Sequence, residues 1–174
     1  MYIQGRLTEN NIKLRPVSIF DSRFIHSGFG SYDFLTANGL KQPITSSQFL
    51  TWWWIKKRFV FSYCILVKGK RAGFLGLHNM QPCLTAEISL ALFEKDIRRK
   101  GYGSRAFRLF ADDLQKHNFV KKIVVRVTKD NFVSRSFWEK LGFEEVKRND
   151  GAIVLQYAAY PPCVLNLKDF PELL

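Results

Sequence analysis

The sequence predicts a single α/β (α+β) domain in which helices flank a sheet. The chain has 174 residues, the size of one domain with a sizeable core. Several short runs have the alternating or β-branched composition of strands, and two pairs of runs flank glycine-containing turns, as hairpins do. A longer segment repeats Phe107, Phe110 and Leu114 at three- and four-residue spacing, which predicts a helix with one buried stripe.

The predicted elements are seven strands and three helices. In chain order, strands are predicted at residues 12–17, 59–67, 72–77, 87–93, 123–127, 143–146 and 153–157. Helices are predicted at residues 48–57, from 103 to about 117, and at 133–141. Turns at residues 68–71 and 149–151 each join two strands into a hairpin.

Local signals support these bounds. The first strand alternates apolar and polar residues up to Pro16, which cannot donate to a further strand. Ser46 or Ser47 can cap the first helix. Residues 20–40 are rich in serine, glycine and aromatic side chains, so this segment has no assignment.

Composition indicates an ordinary globular chain, with 47% hydrophobic and 24% charged residues. Three cysteines, Cys64, Cys83 and Cys163, are too few and too scattered for a disulfide framework, which favours a reducing, cytoplasmic location. The N-terminus lacks a signal-peptide pattern, and the apolar residues 59–67 fall far short of the roughly 20 needed to cross a bilayer. No membrane partner is therefore predicted.

The formal net charge of +12 requires an explanation. A solvated basic surface is the favoured one, because the cations form short groups such as residues 56–58 and 121–122. An acidic partner such as RNA, a ribosome or an anionic metabolite stays open, although no nucleic-acid motif supports it. His26, His78 and His117 lack metal-ligand spacing, so structural roles and no metal are predicted.

A basic segment with two glycines directly precedes the longest predicted helix. Gly101 and Gly103 let the backbone turn tightly and approach a ligand closely, because neither carries a Cβ. The first helical turn adds unpaired N–H groups and the positive end of the helix dipole. Arg98, Arg99 and Lys100 raise the local positive potential, and arginine can pair with phosphate through two hydrogen bonds. The segment therefore predicts a pyrophosphate site.

The same glycines also fit a dinucleotide-binding fingerprint, Gly-x-Gly-x-x-Ala, over residues 101–106. An oxidoreductase is accordingly an alternative. However, that fingerprint needs a strand that ends at its first glycine, whereas residues 94–100 separate Gly101 from the preceding apolar run. No second unit of this kind follows, and there is no Gly-x-x-x-x-Gly-Lys-Ser/Thr segment of a nucleoside triphosphatase.

Two motifs resemble those of the GNAT superfamily of N-acetyltransferases. Arg98-x-x-Gly101-x-Gly103, with a helix that begins inside it, resembles the acyl-CoA-binding signature. Residues 131–143 are similar in order and spacing to the later motif, Asn-x-x-Ala/Ser-x-x-x-Tyr-x-Lys-x-Gly-Phe. The resemblance covers about residues 12–157 of a single domain and leaves a tail at 158–174. It implies a central mixed, mostly antiparallel sheet of six to seven strands flanked by helices.

This resemblance implies transfer of an acetyl group from the co-substrate acetyl-CoA to a primary amine, with no metal. In the family a strand splays open, here near residues 89–92, and its backbone binds the pantetheine arm and polarises the thioester carbonyl. The segment between the first two strands shapes the acceptor site, which here includes Trp52, Trp53 and Trp54. The implied cofactor-binding residues are Leu90, Ala91, Leu92, Arg98, Arg99, Lys100, Gly101, Tyr102, Gly103, Ser104, Asn131 and Ser136.

Glu87 is the implied catalytic base, by analogy with family members that use a glutamate on this strand. A base is useful because an alkyl amine must lose a proton before it attacks the thioester. Pairing of Glu87 with a nearby lysine or arginine is an equal alternative. For Asn131 and Ser136, helix capping is the alternative to a cofactor contact.

Trp138 departs from the family pattern, since many members have a tyrosine there that protonates the leaving thiolate. An indole N–H donates a hydrogen bond but does not usefully release a proton, so core packing is the favoured role of Trp138. The thiolate then leaves unaided, or Tyr102, Tyr157 or a water protonates it. This departure keeps open a non-catalytic acyl-CoA-binding or RNA/ribosome-associated basic module. The acceptor, a small-molecule or peptide amine, and any oligomer stay unidentified.

Overall fold

The computed structural model describes residues 5–51, 61–81, 85–117 and 120–158, which form one mixed sheet with helices on both faces. Within these ranges the strands are β1 Leu7–Glu9, β2 Ile12–Pro16, β3 Ser62–Val67, β4 Lys70–Gln81, β5 Thr85–Leu92, β6 Lys122–Thr128, β7 Glu144–Arg148 and β8 Ala152–Ala158. Their order is β1-β2-β3-β4-β5-β6-β8-β7, and only the pair β5 and β6 is parallel among these described strands. The predicted fold class is confirmed. The eight strands exceed the predicted six to seven because three-residue β1 is too short to show a pattern.

Five α-helical segments fall within the described ranges, besides the 3-10 turns Ile19–Asp21 and Lys95–Ile97. They are α1 Ser22–Phe29, α2 Tyr32–Ala37, α3 at residues 46–51, α4 Tyr102–His117 and α5 Phe132–Glu139. The first two occupy the region that the sequence left unassigned. Thr45, and not Ser46 or Ser47, caps α3, because its hydroxyl accepts from the Gln48 N–H at 3.2 Å while Gln48 bonds back to the Thr45 N–H. None of the helices in the described part of the chain is long and apolar enough to span a membrane.

Several sequence predictions lie outside the described residues. They concern residues 52–57 of the first predicted helix with its three tryptophans, residues 59 and 60, the tail beyond Ala158, and Cys83 and Cys163. Cys64 is described and is buried in β3, where desolvation raises the pKa of its thiol to about 12. At that pKa the thiol is not nucleophilic at neutral pH.

The sheet has a hydrophobic core on each face. On one face α4 buries the predicted stripe of Phe107, Phe110 and Leu114 against the strands. On the other face Ile25 and Phe29 of α1 pack in a smaller cluster with aromatic residues of α3 and β4. α4 therefore lies on one face of the sheet, and α1 to α3 lie on the other.

A buried ion cluster fastens the start of α1 to the sheet. The Asp21 side chain is fully buried, and its carboxylate accepts from Arg15 at 2.7 Å and lies 3.1 Å from Arg71. The Ser18 backbone N–H donates to the same carboxylate at 2.8 Å. Burial opposes ionisation of Asp21, but the hydrogen bonds from Arg15 and Ser18 outweigh it, so the pKa of Asp21 is lowered.

We expect Asp21→Asn to destabilise the fold by about 3 kcal/mol at neutral pH, because it leaves two arginines without their buried partner. Since the folded-state pKa is lowered, the carboxylate contributes fully above its unfolded pKa of about 4, and this contribution is lost as pH falls through the folded pKa. Urea denaturation at several pH values measures the difference from wild type. It should shrink in acid, whereas exposed Asp150→Asn should change little at any pH. A difference that grows in acid would contradict this account.

Candidate functional site

A cleft opens in the sheet where β5 and β6 diverge. The two parallel strands pair only at Thr85 with Lys122, Ala86 with Ile123 and Glu87 with Val124. Beyond Glu87, β5 stays paired with β4 as far as Leu92, while β6 stays paired with β8. Among the described strands, none pairs with this outer backbone edge of residues 88–92, and its N–H and C=O groups can bind a ligand. This is the segment where the resemblance implies the splayed strand.

The side chains of the cleft strand are used for packing. Leu90 and Leu92 pack against the α4 core, and Ala91 packs against the α1 cluster on the opposite face. Gly73 of β4 lies so close to β5 that a Cβ there would collide with the Ala91 carbonyl oxygen. Glycine at position 73 therefore allows the close approach of β4 and β5. Because the side chains of residues 90–92 pack on the two faces of the sheet, only their backbone faces the cleft.

The loop between β5 and α4 is shaped for an anion. Arg99 and Gly101 adopt left-handed conformations, with φ of 59° and 77°. The Arg105 N–H donates to the Gly101 carbonyl at 3.0 Å, so the N–H groups of Tyr102 and Ser104 lie in the first turn, where no helical partner exists. Alternating backbone handedness next to a helix N-terminus makes a concave set of donors that suits a phosphate.

The two glycines of this loop have different tasks. Gly101 needs its left-handed φ, and a Cβ there would meet nothing within 4 Å. Gly103 instead allows close packing, because a Cβ would lie 3.3 Å from Cε2 of Phe137 and 3.7 Å from Cδ2 of Leu90. The start of α4, α5 and the cleft strand therefore meet at Gly103.

The basic residues of the loop divide into two groups. Arg98 is committed to the protein: its Nε and Nη2 donate to the carbonyls of Leu92 and Phe93, each at 3.0 Å, and its Nη1 donates to Asp33 at 2.9 Å. Arg99 and Lys100 are exposed. The anion would therefore meet backbone N–H groups and these two exposed cations, while Arg98 joins the end of β5 to α2.

Asn131 caps α5, as the alternative to a cofactor contact predicts. Its Oδ1 accepts from the Ser134 N–H at 3.0 Å. Its Nδ2 donates to the Ala37 carbonyl at 2.6 Å, and the Thr128 hydroxyl donates to the same carbonyl at 3.0 Å. Together with the Arg98–Asp33 pair, these bonds hold α2 across the ends of the two diverging strands. Ser136 is exposed on α5, and it takes no part in the hydrogen bonds of Asn131, Thr128 and Arg98 described above.

Trp138 is a packing residue in this arrangement. Its side chain is buried, and its ring meets Phe107, Phe137 and Phe143 edge to face, with centroids 4.9 to 5.7 Å apart. Such aromatic contacts add to the stabilisation from burial alone. The geometry supports the core interpretation of Trp138.

Glu87 lies at the point of divergence and is held by three partners. Its carboxylate accepts from Asn79 at 3.0 Å and lies 3.1 Å from Arg126 Nε and 3.6 Å from His78 Nε2. The approach of His78 is the largest cause that lowers the pKa of Glu87 to about 2, with Asn79 and Arg126 also opposing the effect of burial. Glu87 is therefore ionised throughout the physiological range and is a weak proton acceptor.

A polar chain leads from Glu87 into the cleft. His78 pairs with Glu87 across β4 and β5, and its Nδ1 lies 3.5 Å from the Ser89 hydroxyl. Ser89 is the first residue on the Glu87 face beyond the last β5–β6 pair. Sequence reasoning missed His78, Asn79 and Arg126 as site residues, because only the register of three strands brings them to Glu87.

The comparisons with known proteins fit this geometry. The model of the acetyltransferase (GNAT) family matches residues 32–143. The chain belongs to this family, which confirms the predicted enzyme class, an acyltransferase of the acetyl-CoA-dependent N-acetyltransferase type. A search of curated proteins finds no match to the sequence.

Solved structures share the fold at low sequence identity. An acetyltransferase (GNAT family) from Bacillus anthracis is 14% identical, with 89% of this chain and 99% of that chain covered and a TM-score of 0.74. Spermidine N-acetyltransferase from Vibrio cholerae, in complex with CoA and spermine, is 17% identical, with 87% and 97% covered and a TM-score of 0.72. A ribosomal alpha-N-protein acetyltransferase is 13% identical, with 88% and 94% covered and a TM-score of 0.73.

Proposed function

We propose that this chain transfers the acetyl group of acetyl-CoA to a primary amine at the cleft between β5 and β6. The observation that carries the proposal is that the unpaired edge of β5 leads directly into the loop before α4, whose N–H groups suit an anion. The 3-10 turn Lys95–Ile97 joins the end of β5 to that loop. A ligand with a long polar arm and a pyrophosphate can therefore place its thioester in the cleft and its phosphates at the α4 N-terminus.

The residues present suit the parts of acetyl-CoA. Backbone groups of Leu90, Ala91 and Leu92 would bind the pantetheine arm and polarise the thioester carbonyl. Backbone N–H groups from Gly101 to Ser104 would bind the pyrophosphate, with Arg99 and Lys100 beside them. Acetyl-CoA supplies the activated acetyl group, and the chain supplies orientation and proton transfer.

Proton transfer is assigned to His78 together with Glu87. In the reaction the amine nitrogen bonds to the acetyl carbon, the carbon–sulfur bond breaks, and the sulfur keeps the electron pair. A neutral His78 would take the proton lost by the amine, directly or through the Ser89 hydroxyl, and the Glu87 anion would orient and stabilise the resulting imidazolium. As a direct base, Glu87 is a poorer candidate because of its lowered pKa. The CoA sulfur can leave as thiolate, since a thiol pKa of roughly 8.5 makes it a tolerable leaving group.

The alternatives have less support. A dinucleotide-binding oxidoreductase does not suit a mostly antiparallel sheet, because its binding domain uses a parallel one. No observation on the described residues favours a non-catalytic basic module. The cytoplasmic location stays a prediction.

Ligand stabilisation tests the proposal directly. Acetyl-CoA or CoA at about a hundred times its dissociation constant should raise the free energy of unfolding by roughly 2.7 kcal/mol, while NAD and NADP should not. Thermal shift measures this effect, and a screen of amines with thiol-release detection then tests turnover. A clear shift with NAD and none with CoA would overturn the assignment of the cleft.

A further inference from the structure

Arg126 lies on the same face of the sheet as His78 and Ser89, the residues proposed for proton transfer. It lies two residues beyond Val124 on β6, just as Ser89 lies two residues beyond Glu87 on β5. Because side chains alternate along a strand, all four residues are on one face of the sheet. This is also the face of α1 to α3, opposite α4. Arg126 therefore borders the first open position of the cleft.

Only part of the Arg126 guanidinium is used. Its Nε lies 3.1 Å from Glu87, and 61% of the side chain is exposed. In the described part of the chain, neither Nη1 nor Nη2 has a hydrogen-bond or ion-pair partner. A guanidinium with both of these groups facing solvent can bind a planar carboxylate through two parallel hydrogen bonds.

Two carboxylates near the cleft, Glu87 and Asp33, each lie within ion-pair distance of a cation. Glu87 is paired with Arg126, whose Nε lies 3.1 Å away. Asp33 on α2 is paired with Arg98 at 2.9 Å and with Lys95 at 3.3 Å. A polycation that entered between α2 and β6 would compete with these cations for both carboxylates. An acceptor with a negative charge near its amine would instead meet the exposed end of Arg126.

We propose that Arg126 binds a carboxylate of the acceptor, so that the preferred acceptors are amines with a carboxylate a few atoms from the reacting nitrogen. This inference rests on the proposed function. The carboxylate can come from two sources that share this chemistry: the α-carboxylate of a free amino acid, or an acidic side chain beside the N-terminus of a peptide. Arg126 thus becomes the residue that selects the acceptor, in addition to its contact with Glu87.

Matched acceptor pairs test this proposal in steady-state kinetics. One pair is alanine and alaninamide; the other is a C-terminally amidated peptide that begins with aspartate and the same peptide with asparagine. In at least one of these two pairs, the kcat/KM of wild type should be higher for the carboxylate acceptor by about 10-fold or more, the range of a charge-assisted hydrogen bond. The pair that shows this preference identifies the source of the carboxylate. Spermidine, a polycation, should be a poorer acceptor than the preferred carboxylate acceptor.

Variants then assign this preference to Arg126. Arg126→Gln should raise KM for the carboxylate acceptor and abolish its advantage over the neutral partner, and Arg126→Lys should keep part of it. Any loss of kcat through the disturbed Glu87 affects both members of a pair equally and cancels in their ratio. Arg135→Gln is the control, because Arg135 pairs with Glu139 and Glu145 on the α5 side, away from the cleft.

The outcomes separate this inference from the function on which it depends. Three results would overturn the role of Arg126 while acetyl transfer stands. Wild type could use the neutral acceptors as well as the carboxylate acceptors, or it could prefer spermidine. Alternatively, Arg126→Gln could leave unchanged the ratio of kcat/KM between the two members of each pair. If Arg126→Gln fails to fold, the wild-type ratios and Arg126→Lys still decide. An absence of CoA binding and of thiol release with every amine overturns the proposed function and this inference together.

Discussion

Gly103→Val is expected to weaken CoA binding by about 100-fold or more, equivalent to roughly 2.7 kcal/mol. A Cβ at this position already lies 3.3 Å from Phe137, and the two methyl groups of valine would extend into the space between the start of α4 and the cleft strand. The clash with Phe137 would shift the start of α4, and the N–H groups of its first turn would lose the geometry that suits a pyrophosphate. Isothermal titration calorimetry with CoA measures the effect, and circular dichroism verifies the fold.

Two matched variants control this experiment. Gly151→Val lies in the turn between β7 and β8, where a Cβ meets nothing within 4 Å, and should bind CoA normally. Arg99→Ala removes an exposed charge that salt partly screens, and should weaken binding only modestly. Near wild-type affinity in a folded Gly103→Val protein would show that the pyrophosphate binds elsewhere.

His78→Gln and Glu87→Gln are each expected to lower kcat by roughly 10²-fold or more at neutral pH, within the range of general-base catalysis. His78→Gln removes the proposed proton acceptor, and Glu87→Gln removes the anion that stabilises its protonated form. Both losses should shrink at high pH, where the amine is already neutral. Because the pKa of Glu87 is about 2, this carboxyl stays ionised over the assay range and should add no titration of its own to the pH–rate profile.

The two variants also distinguish the proton acceptor. If His78→Gln stays near wild-type activity while Glu87→Gln loses it, Glu87 is the direct base and His78 has no role in proton transfer. A Glu87→Gln profile parallel to wild type at every pH would remove Glu87 from the mechanism. His117→Gln is the matched control, because His117 lies in the last turn of α4, within 3.7 Å of Asp113 and outside the cleft.

Features that depend on near neighbours in the chain were predictable from the sequence. The spacing of Phe107, Phe110 and Leu114 predicts the buried face of α4, because a helix brings residues three and four apart to one side. The turn before β4 is likewise local, since Lys68 and Gly69 take the left-handed conformations of a tight hairpin. Motif spacing identified the family for the same reason: a loop and a helix N-terminus are built from consecutive residues.

Short elements that depend on distant contacts were not predictable. α2 spans only Tyr32–Ala37, too short to be stable by its own propensity. Arg98 holds one end through Asp33, and Asn131 holds the other through the Ala37 carbonyl. Neither partner is near α2 in sequence, so residues 20–40 showed no pattern of their own.

The sequence by itself determined the family, and it singled out two candidate features: the loop before α4 that is predicted to bind an anion, and Glu87 near the start of β5. Only the tertiary structure decided the chemistry of that carboxylate. The register of β4 and β6 on either side of β5 places His78 and Arg126 within 3.6 Å of Glu87, and these contacts lower its pKa and leave the outer end of Arg126 exposed. Strand register is set by the packing of the whole sheet, so the spacing of residues along the sequence does not predict it.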